Sequence, residues 1–131
     1  MNYQKKLDRV FSEFIRRRDS DQNGNISCIS CGKIVNWKQS DAGHYVNRKH
    51  MSLRYDEKNV NAQCRACNRF DEGNVIGYTR GLFAKHGTDI FDYLRVKKSN
   101  ICKMGSFEYQ ALISEYQRKI KDLKMKSYEC R

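Results

Sequence analysis

Cys28-Ile29-Ser30-Cys31 and Cys64-Arg65-Ala66-Cys67-Asn68 are the two stretches on which the fold of this chain turns. Each Cys-x-x-Cys pair directs two thiolates inward from a tight turn. One tetrahedral ion needs two such pairs, so the intervening chain must double back to bring them together. Sulfur at all four positions closes the shell to water, so a zinc ion held by Cys28, Cys31, Cys64 and Cys67 is structural and cannot be the catalytic metal. The enclosed segment carries Gly43-His44-Tyr45, Arg48, Arg54 and Asn59. The clip therefore reads as the foundation of a site built on top of it.

Composition narrows the class of protein. The 131 residues hold 26 Lys and Arg against 15 Asp and Glu, a formal charge of +11. Such an excess predicts attraction to polyanions, with nucleic acid first and an anionic membrane surface second. There is no run of about 18 apolar residues, and the first twenty residues lack an apolar centre, which argues against secretion and membrane insertion. The expectation is a cytoplasmic protein without a membrane partner, where paired cysteines serve as metal ligands and not as disulfides. Cys102 and Cys130 have no partner at ligand spacing and read as free thiols.

Working outward from the clip, residues 2–17 place Leu7, Val10, Phe11 and Phe14 on one face of a helical period. Asn23-Gly24 supplies a turn into the first cysteine pair, and Gly32 relieves the turn that follows it. From Lys33 to Val46 the chain reads as extended, with Asn47 to Tyr55 a polar connection anchored by Met51 and Leu53, together a two-stranded hairpin with an elaborated loop. Asn74 to Lys85 offers Val75, Tyr78, Leu82 and Phe83 on one helical face, closed by His86-Gly87. Thr88 is a candidate cap for a short helix containing Ile90, Phe91 and Leu94, with a basic link from Arg95 to Lys103 after it. A last helix, 106–126, spaces Tyr109, Leu112, Ile113, Tyr116, Ile120 and Leu123 three and four apart. Its polar face and tail carry Lys119, Lys124 and Arg131, suited to solvent or to a nucleic-acid backbone. The organisation is an N-terminal helix and linker (1–25), a zinc-stapled core (26–87) and a basic helical extension packed on the same domain (88–131).

His44 carries the chemical reading. Taken alone it is a satisfied strand histidine or a phosphate contact. Its position between the knuckles, beside Gly43 and with Arg48 and Arg54 to grip phosphate, shifts the reading toward catalysis. An imidazole can take a proton from water attacking phosphorus if its other nitrogen is held and the transition state is neutralised. Amide oxygens of Asn59 or Asn68, and a divalent cation on oxygen ligands, suit those roles.

The order Cys-x-x-Cys, Gly-His-Tyr, then Arg54-Tyr55-Asp56-Glu57-Lys58-Asn59-Val60-Asn61-Ala62-Gln63 running into Cys64-x-x-Cys67-Asn68, resembles the zinc-stapled HNH endonucleases. More narrowly, Asp41 to Tyr45, Leu53 to Asn68, and Gly73-Asn74 with Tyr78 and Gly81-Leu82 are similar to the phage lambda NinG family, also called Rap, of recombination nucleases. The likeness covers roughly residues 26–95. It implies an α+β fold with a ββα-metal, treble-clef-like core stapled by the four cysteines and flanked by amphipathic helices. It implies His44 as general base, Asn59 as the residue steadying the loop and the histidine, and Asn68 as ligand to a catalytic Mg2+ or Mn2+. The family pattern has an aspartate directly before the first histidine, where this chain has Gly43. Asp41 is the first substitute if the strand is bulged or curved, with His50, Asp56 and Asp71 from neighbouring loops behind it.

The expected function is a metal-dependent endonuclease cutting Holliday junctions or other branched DNA, acting as a homodimer in a bacterial host cell. Arg48 and Arg54 are expected at the cleaved phosphate, with Lys119 and Lys124 further along the backbone. The apolar faces of the first and last helices are candidates for the dimer contact or for covering the chain's own core. The alternatives are a zinc-knuckle DNA-binding module without catalysis, an HNH nuclease acting on linear duplex, and a structural assembly protein.

Overall fold

An Asn2 side chain that accepts from the Lys5 amide opens the first helix, α1 (Tyr3–Arg18), and Leu7, Phe11, Phe14 and Ile15 form its buried face. The structure, a computed structural model, describes residues 2–129 and side chains as far as Lys126. Cys130 and Arg131 lie outside the described residues. Two hairpins follow α1. Strands β1 (Asn25–Ser27) and β2 (Ile34–Asn36) flank the first cysteine pair. Strand β3 (Ser40–His44) pairs antiparallel with β4 (Val60–Cys64), so the single expected hairpin is in fact two. The polar connection between β3 and β4 contains a further helical turn, α2 (Met51–Arg54), anchored by the fully buried Leu53.

After β4 the chain makes a π-helical turn at Ala66–Phe70, then helices α3 (Val75–His86), α4 (Asp89–Lys98) and α5 (Ser106–Glu129). Gly87, at φ 80°, ends α3 as its sequence implies. Three local expectations change. Thr88 makes no capping hydrogen bond from its side chain, Arg95 to Lys98 belong to α4 and not to a link, and Val75 and Phe83 are exposed.

Strand β4 holds the layers together because every one of its residues is buried. Val60 joins one apolar cluster with Leu7, Phe11 and Phe14 of α1 and Ile113, Tyr116 and Ile120 of α5. The apolar faces of α1 and α5 therefore meet each other, so of the two roles open to them they take that of covering the chain's own core. On the other side of β4, Asn61 donates to the Tyr78 hydroxyl (3.2 Å), while Gln63 donates to Ser30 Oγ (2.8 Å) and the Gly73 carbonyl (2.6 Å). The strand's outer edge is satisfied as well: the Ala62 amide donates to Asp19 (2.8 Å) and its carbonyl accepts from the Ile29 amide (3.1 Å). Tyr78, Leu82, Ile90, Leu94 and Leu53 make a second cluster beneath α3 and α4.

Helix α3 lies directly on the first cysteine turn. A Cβ at Gly77 would stand 2.2 Å from the Ser30 carbonyl oxygen, and one at Gly81 would stand 2.0 Å from that of Ile29. Only glycine allows this approach. No described helix is long and apolar enough to cross a membrane.

Alanine in a helix interior is ordinarily more favourable than glycine by about 1 kcal/mol. Gly81→Ala should do the opposite here and destabilise by about 1–3 kcal/mol, because α3 must move off the Ile29 carbonyl. Denaturant unfolding of the zinc-loaded protein measures it, and a variant as stable as the parent would contradict the packing.

Candidate metal centre and active-site cleft

Cys28, Cys31, Cys64 and Cys67 converge so that all four sulfurs lie within 4.8 Å of one another, and no disulfide links them. Sulfurs bound to a common zinc at about 2.3 Å stand about 3.8 Å apart, inside this limit and close to the 3.7 Å between the Cys31 and Cys64 sulfurs, so the donor set fits a tetrahedral thiolate site. Cys28, Cys64 and Cys67 are buried. Amide donors point at the sulfurs: Ser30 N to Cys28 (3.4 Å), Cys67 N to Cys64 (3.5 Å) and Asn74 Nδ2 to Cys67 (3.3 Å). Asn74 adopts a left-handed backbone (φ 41°) and its Oδ1 accepts from Gly77 N, so one side chain ties the cluster to the start of α3.

Immediately beside this centre an open cleft of about 480 Å³ runs along the free edge of β3. It is lined by Asp8 from α1, Asp41 and His44 from β3, Arg48, Arg54 and Tyr55 from the connection around α2, and Asn68 and Arg69 from the π-helical turn. Five residues expected from the sequence, Asp41, His44, Arg48, Arg54 and Asn68, thus share one wall-to-wall space. Lys119 and Lys124 do not line it. Lys119 is held by Glu57 (2.8 Å) and Glu115 (3.6 Å).

His44 Nε2 lies 2.9 Å from the carbonyl oxygen of Arg54. A carbonyl can only accept, so Nε2 carries the proton and Nδ1 keeps its lone pair. Burial, followed by the charges of Arg48 and Arg54, pulls the imidazole pKa below the ordinary 6.5 and keeps the ring neutral. Asn59, fully buried, stands behind the cleft. Its Oδ1 accepts from Val46 N (2.8 Å), and its Nδ2 donates to the carbonyls of Val46 (3.0 Å) and Leu53 (3.1 Å). The loop leaving His44 is thereby bound to the residue preceding Arg54. Tyr78 adds a buried hydroxyl that donates to the Gly43 carbonyl at 2.6 Å.

Asp41 and Asn68 meet, with Asn68 Nδ2 donating to Asp41 Oδ2 at 2.9 Å. The expected bulge is absent: β3 pairs without interruption from Ser40 to His44. Asp41 shares a strand face with Gly43 simply because side chains alternate with a period of two. Gly43 itself has no room for a carboxylate, since a Cβ there would stand 1.9 Å from Gln63 Oε1. Burial pushes the Asp41 carboxyl up, but hydrogen bonds from Arg69 and Asn68 and the nearby guanidinium charges outweigh it and hold the group ionised. Asp56, another candidate, is buried and taken up by Tyr93 and Lys97, away from the cleft.

Asp8 was not legible as a site residue. Its carboxylate receives Arg54 Nε (3.0 Å) and Nη2 (2.6 Å) and the Tyr55 hydroxyl (2.7 Å). Arg54 therefore contributes its carbonyl to His44 and its guanidinium to Asp8, and is not the free phosphate grip its position implied. Arg69 was missed as well. One of two acids in a basic helix and one arginine beyond a cysteine pair carry no spacing signal.

Purified protein should contain one zinc per chain by elemental analysis, and stripping it should unfold the domain. Asn74→Ala should keep that stoichiometry but weaken zinc affinity about 10–100-fold, as loss of an outer-sphere hydrogen bond does. A metal content near zero would remove the organising centre of the fold.

Comparison with known proteins agrees with this geometry. The family model described as Bacteriophage Lambda NinG protein matches residues 1–126. Protein ninG of Escherichia phage lambda is 35% identical over 121 residues, covering 92% of this chain and 56% of the relative. Protein ninG of Salmonella phage P22 is 35% identical over 121 residues, with 92% and 57% covered. That of Enterobacteria phage H19B is 33% identical over the same length, again with 92% and 57% covered. The chain thus spans a little over half the length of these curated relatives. No solved structure matches it. With the match running through both cysteine pairs and the cleft residues between them, the chain belongs to the NinG family.

Proposed function

We propose that this chain is a metal-dependent DNA endonuclease of HNH type, with β3, β4 and the turn and helix after Cys67 as its ββα-metal core. The observation that carries the reading is His44, with Nε2 bound to the Arg54 carbonyl and Nδ1 free in a cleft shared with Asp41 and Asn68. Nδ1 takes a proton from the water attacking phosphorus, and Asn59 holds the loop that orients the ring. Arg48, at the rim, draws in the phosphate.

Asp41 offers a carboxylate, and Asn68, whose amide nitrogen faces it at 2.9 Å, would offer its amide oxygen once that amide turns over; such hard donors suit Mg2+ or Mn2+. A cation held by these two residues would neutralise the phosphate and stabilise the leaving 3′ oxygen, and water attack at phosphorus would then leave a 5′ phosphate. The branched substrate, a Holliday junction or related recombination intermediate, is the part of the proposal that rests on family alone. Cutting both strands of a junction requires two such sites and hence two copies of the chain.

A second reading draws on Arg69, which grips both oxygens of Asp41. If that ion pair persists on DNA, the cation has no carboxylate and the protein is a zinc-stapled DNA-binding module. One assay separates the two: cleavage of a four-way junction and of linear duplex, with magnesium, with manganese and with neither. Wild type should cut the junction preferentially and only with a divalent ion. His44→Ala should lose at least about 10²–10⁴-fold in rate while zinc content and DNA binding persist. A His44→Ala protein cutting at the wild-type rate would sink the general base, and a wild type that never cuts would leave the binding module.

The pH profile gives an independent check. Because His44 must be neutral to act, activity rises with pH through its pKa, and the acidic limb of kcat/KM should have its midpoint below 6.5. Arg48 is one of the charges lowering that pKa, so Arg48→Gln should move the limb to higher pH. A limb that shifts downward in this variant would contradict the electrostatic assignment.

A further inference from the structure

We infer that a basic strip centred on Trp37, leading into the cleft from the side of Asp41, is the surface that receives the nucleic-acid backbone. Trp37 begins a single 3-10 turn, Trp37–Gln39, between β2 and β3. Arg17 places its guanidinium carbon 4.3 Å from the ring centroid, Arg16 stands at 5.3 Å and the Lys38 ammonium at 5.9 Å. Arg65, in the second cysteine turn, donates to Gln39 Oε1 (3.3 Å) and the Lys38 carbonyl (3.1 Å), which binds that turn to the same surface. Arg65 Nε is also 3.9 Å from Asp41, the carboxylate that Arg69 holds at the cleft wall.

Cations from α1, the 3-10 turn and the second cysteine turn thus form one continuous track that ends at the proposed cation ligand. Five positive side chains gather there against two carboxylates, Glu13 and Asp41. Burial depresses the pKa of Arg16; Glu13 and Asp41 raise it and the smaller effects of Arg17 and Arg65 lower it, so all four side chains lie close enough to Arg16 to act on it. Stacking on tryptophan contributes only about 0.5–1 kcal/mol at an exposed site. The cations outnumber the carboxylates, which suits a polyanion lying along the strip, and the side chains nearest the cleft remain reachable, with Arg65 and Arg69 43% and 51% exposed. The lysines of α5 are the competing surface, but Lys119 among them is already paired with Glu57 and Glu115.

This inference rests on the DNA reading above and adds the path of the strand. Trp37 is the sole tryptophan of the chain, so its emission reports on the strip directly. The experiment titrates zinc-loaded full chain with a four-way junction, without added magnesium or manganese so that nothing is cut. Trp37 emission is followed alongside the anisotropy of labelled DNA. Emission should change saturably with the same midpoint as anisotropy.

Arg17→Gln, Lys38→Gln and Arg65→Gln combined should weaken binding at least about 10-fold. They should also flatten the slope of log K against log salt by about 2–3, at about 0.9 for each phosphate no longer neutralised. Lys121→Gln, Lys124→Gln and Lys126→Gln combined remove the same charge from α5 and should cost less in both measures. Equal losses in the two triple variants, or unchanged Trp37 emission at DNA saturation, would overturn the strip and leave DNA binding intact. If wild type gives no anisotropy change, the DNA reading falls and the strip with it. Should the strip variant fail to retain zinc, the Trp37 titration of wild type decides alone.

Discussion

Four sulfurs within 4.8 Å of one another are the constraint on which the rest of the molecule depends. As thiolates they repel, and only a shared cation makes their convergence favourable, so the geometry implies an ion as part of the fold. The consequences propagate through short chain segments. Cys64 ends β4 and Cys67 lies in the turn that carries Asn68, so whatever holds the sulfurs also positions the amide beside Asp41. The first cysteine turn gives its Ile29 amide to β4 and receives the glycine face of α3. Helix and hairpin are thus registered against the same two knuckles.

Around that centre the interior is unusually polar, and fully satisfied. Asn59, Asn61 and Gln63 are buried, yet no described buried side-chain polar atom lacks a partner. In a low-dielectric interior such bonds are costly to break and leave few alternative arrangements. Their effect on function is indirect. Asn59 and Tyr78 tie down the backbone on both sides of His44, and the Arg54 carbonyl then selects the tautomer of its ring. On the proposed reading the imidazole is thus oriented before any substrate arrives, the arrangement that proton transfer from water would need.

Charge is partitioned by the same fold. Asp8, Asp19, Asp41, Asp56 and Glu57 are each consumed by an internal cation. These five of the 15 Asp and Glu are paired within the fold, and the net charge of +11 falls to the remaining side chains. The cleft sits where the two regimes meet. Its carboxylates are Asp8 and Asp41, both held by arginines, and its rim is basic. On the proposed reading, a phosphate entering there meets cations before it meets the carboxylate of Asp41.

Local pattern and ligand spacing make much of this molecule legible in its sequence: the cysteine quartet, the α+β class, helices α1, α3 and α5, and the glycine that ends α3. Those features depend on neighbours in sequence or on a motif whose spacing is itself the signal. Other features arise only when distant segments meet. Helix α1 brings Asp8 to Arg54 across 46 residues, and nothing in the sequence around either residue announces the pair. The second hairpin was hidden because β1 and β2 are three residues each, too short for a period of two to register. Gly43 reads as a missing ligand in one dimension, whereas in three it is the space that Gln63 fills. Asp41 needs no bulge to reach Asn68, because the unbroken ladder already turns it to the face of Gly43. The apolar stripes of α1 and α5 are equally suited to a partner or to each other, and burial against Val60 is what chooses between them.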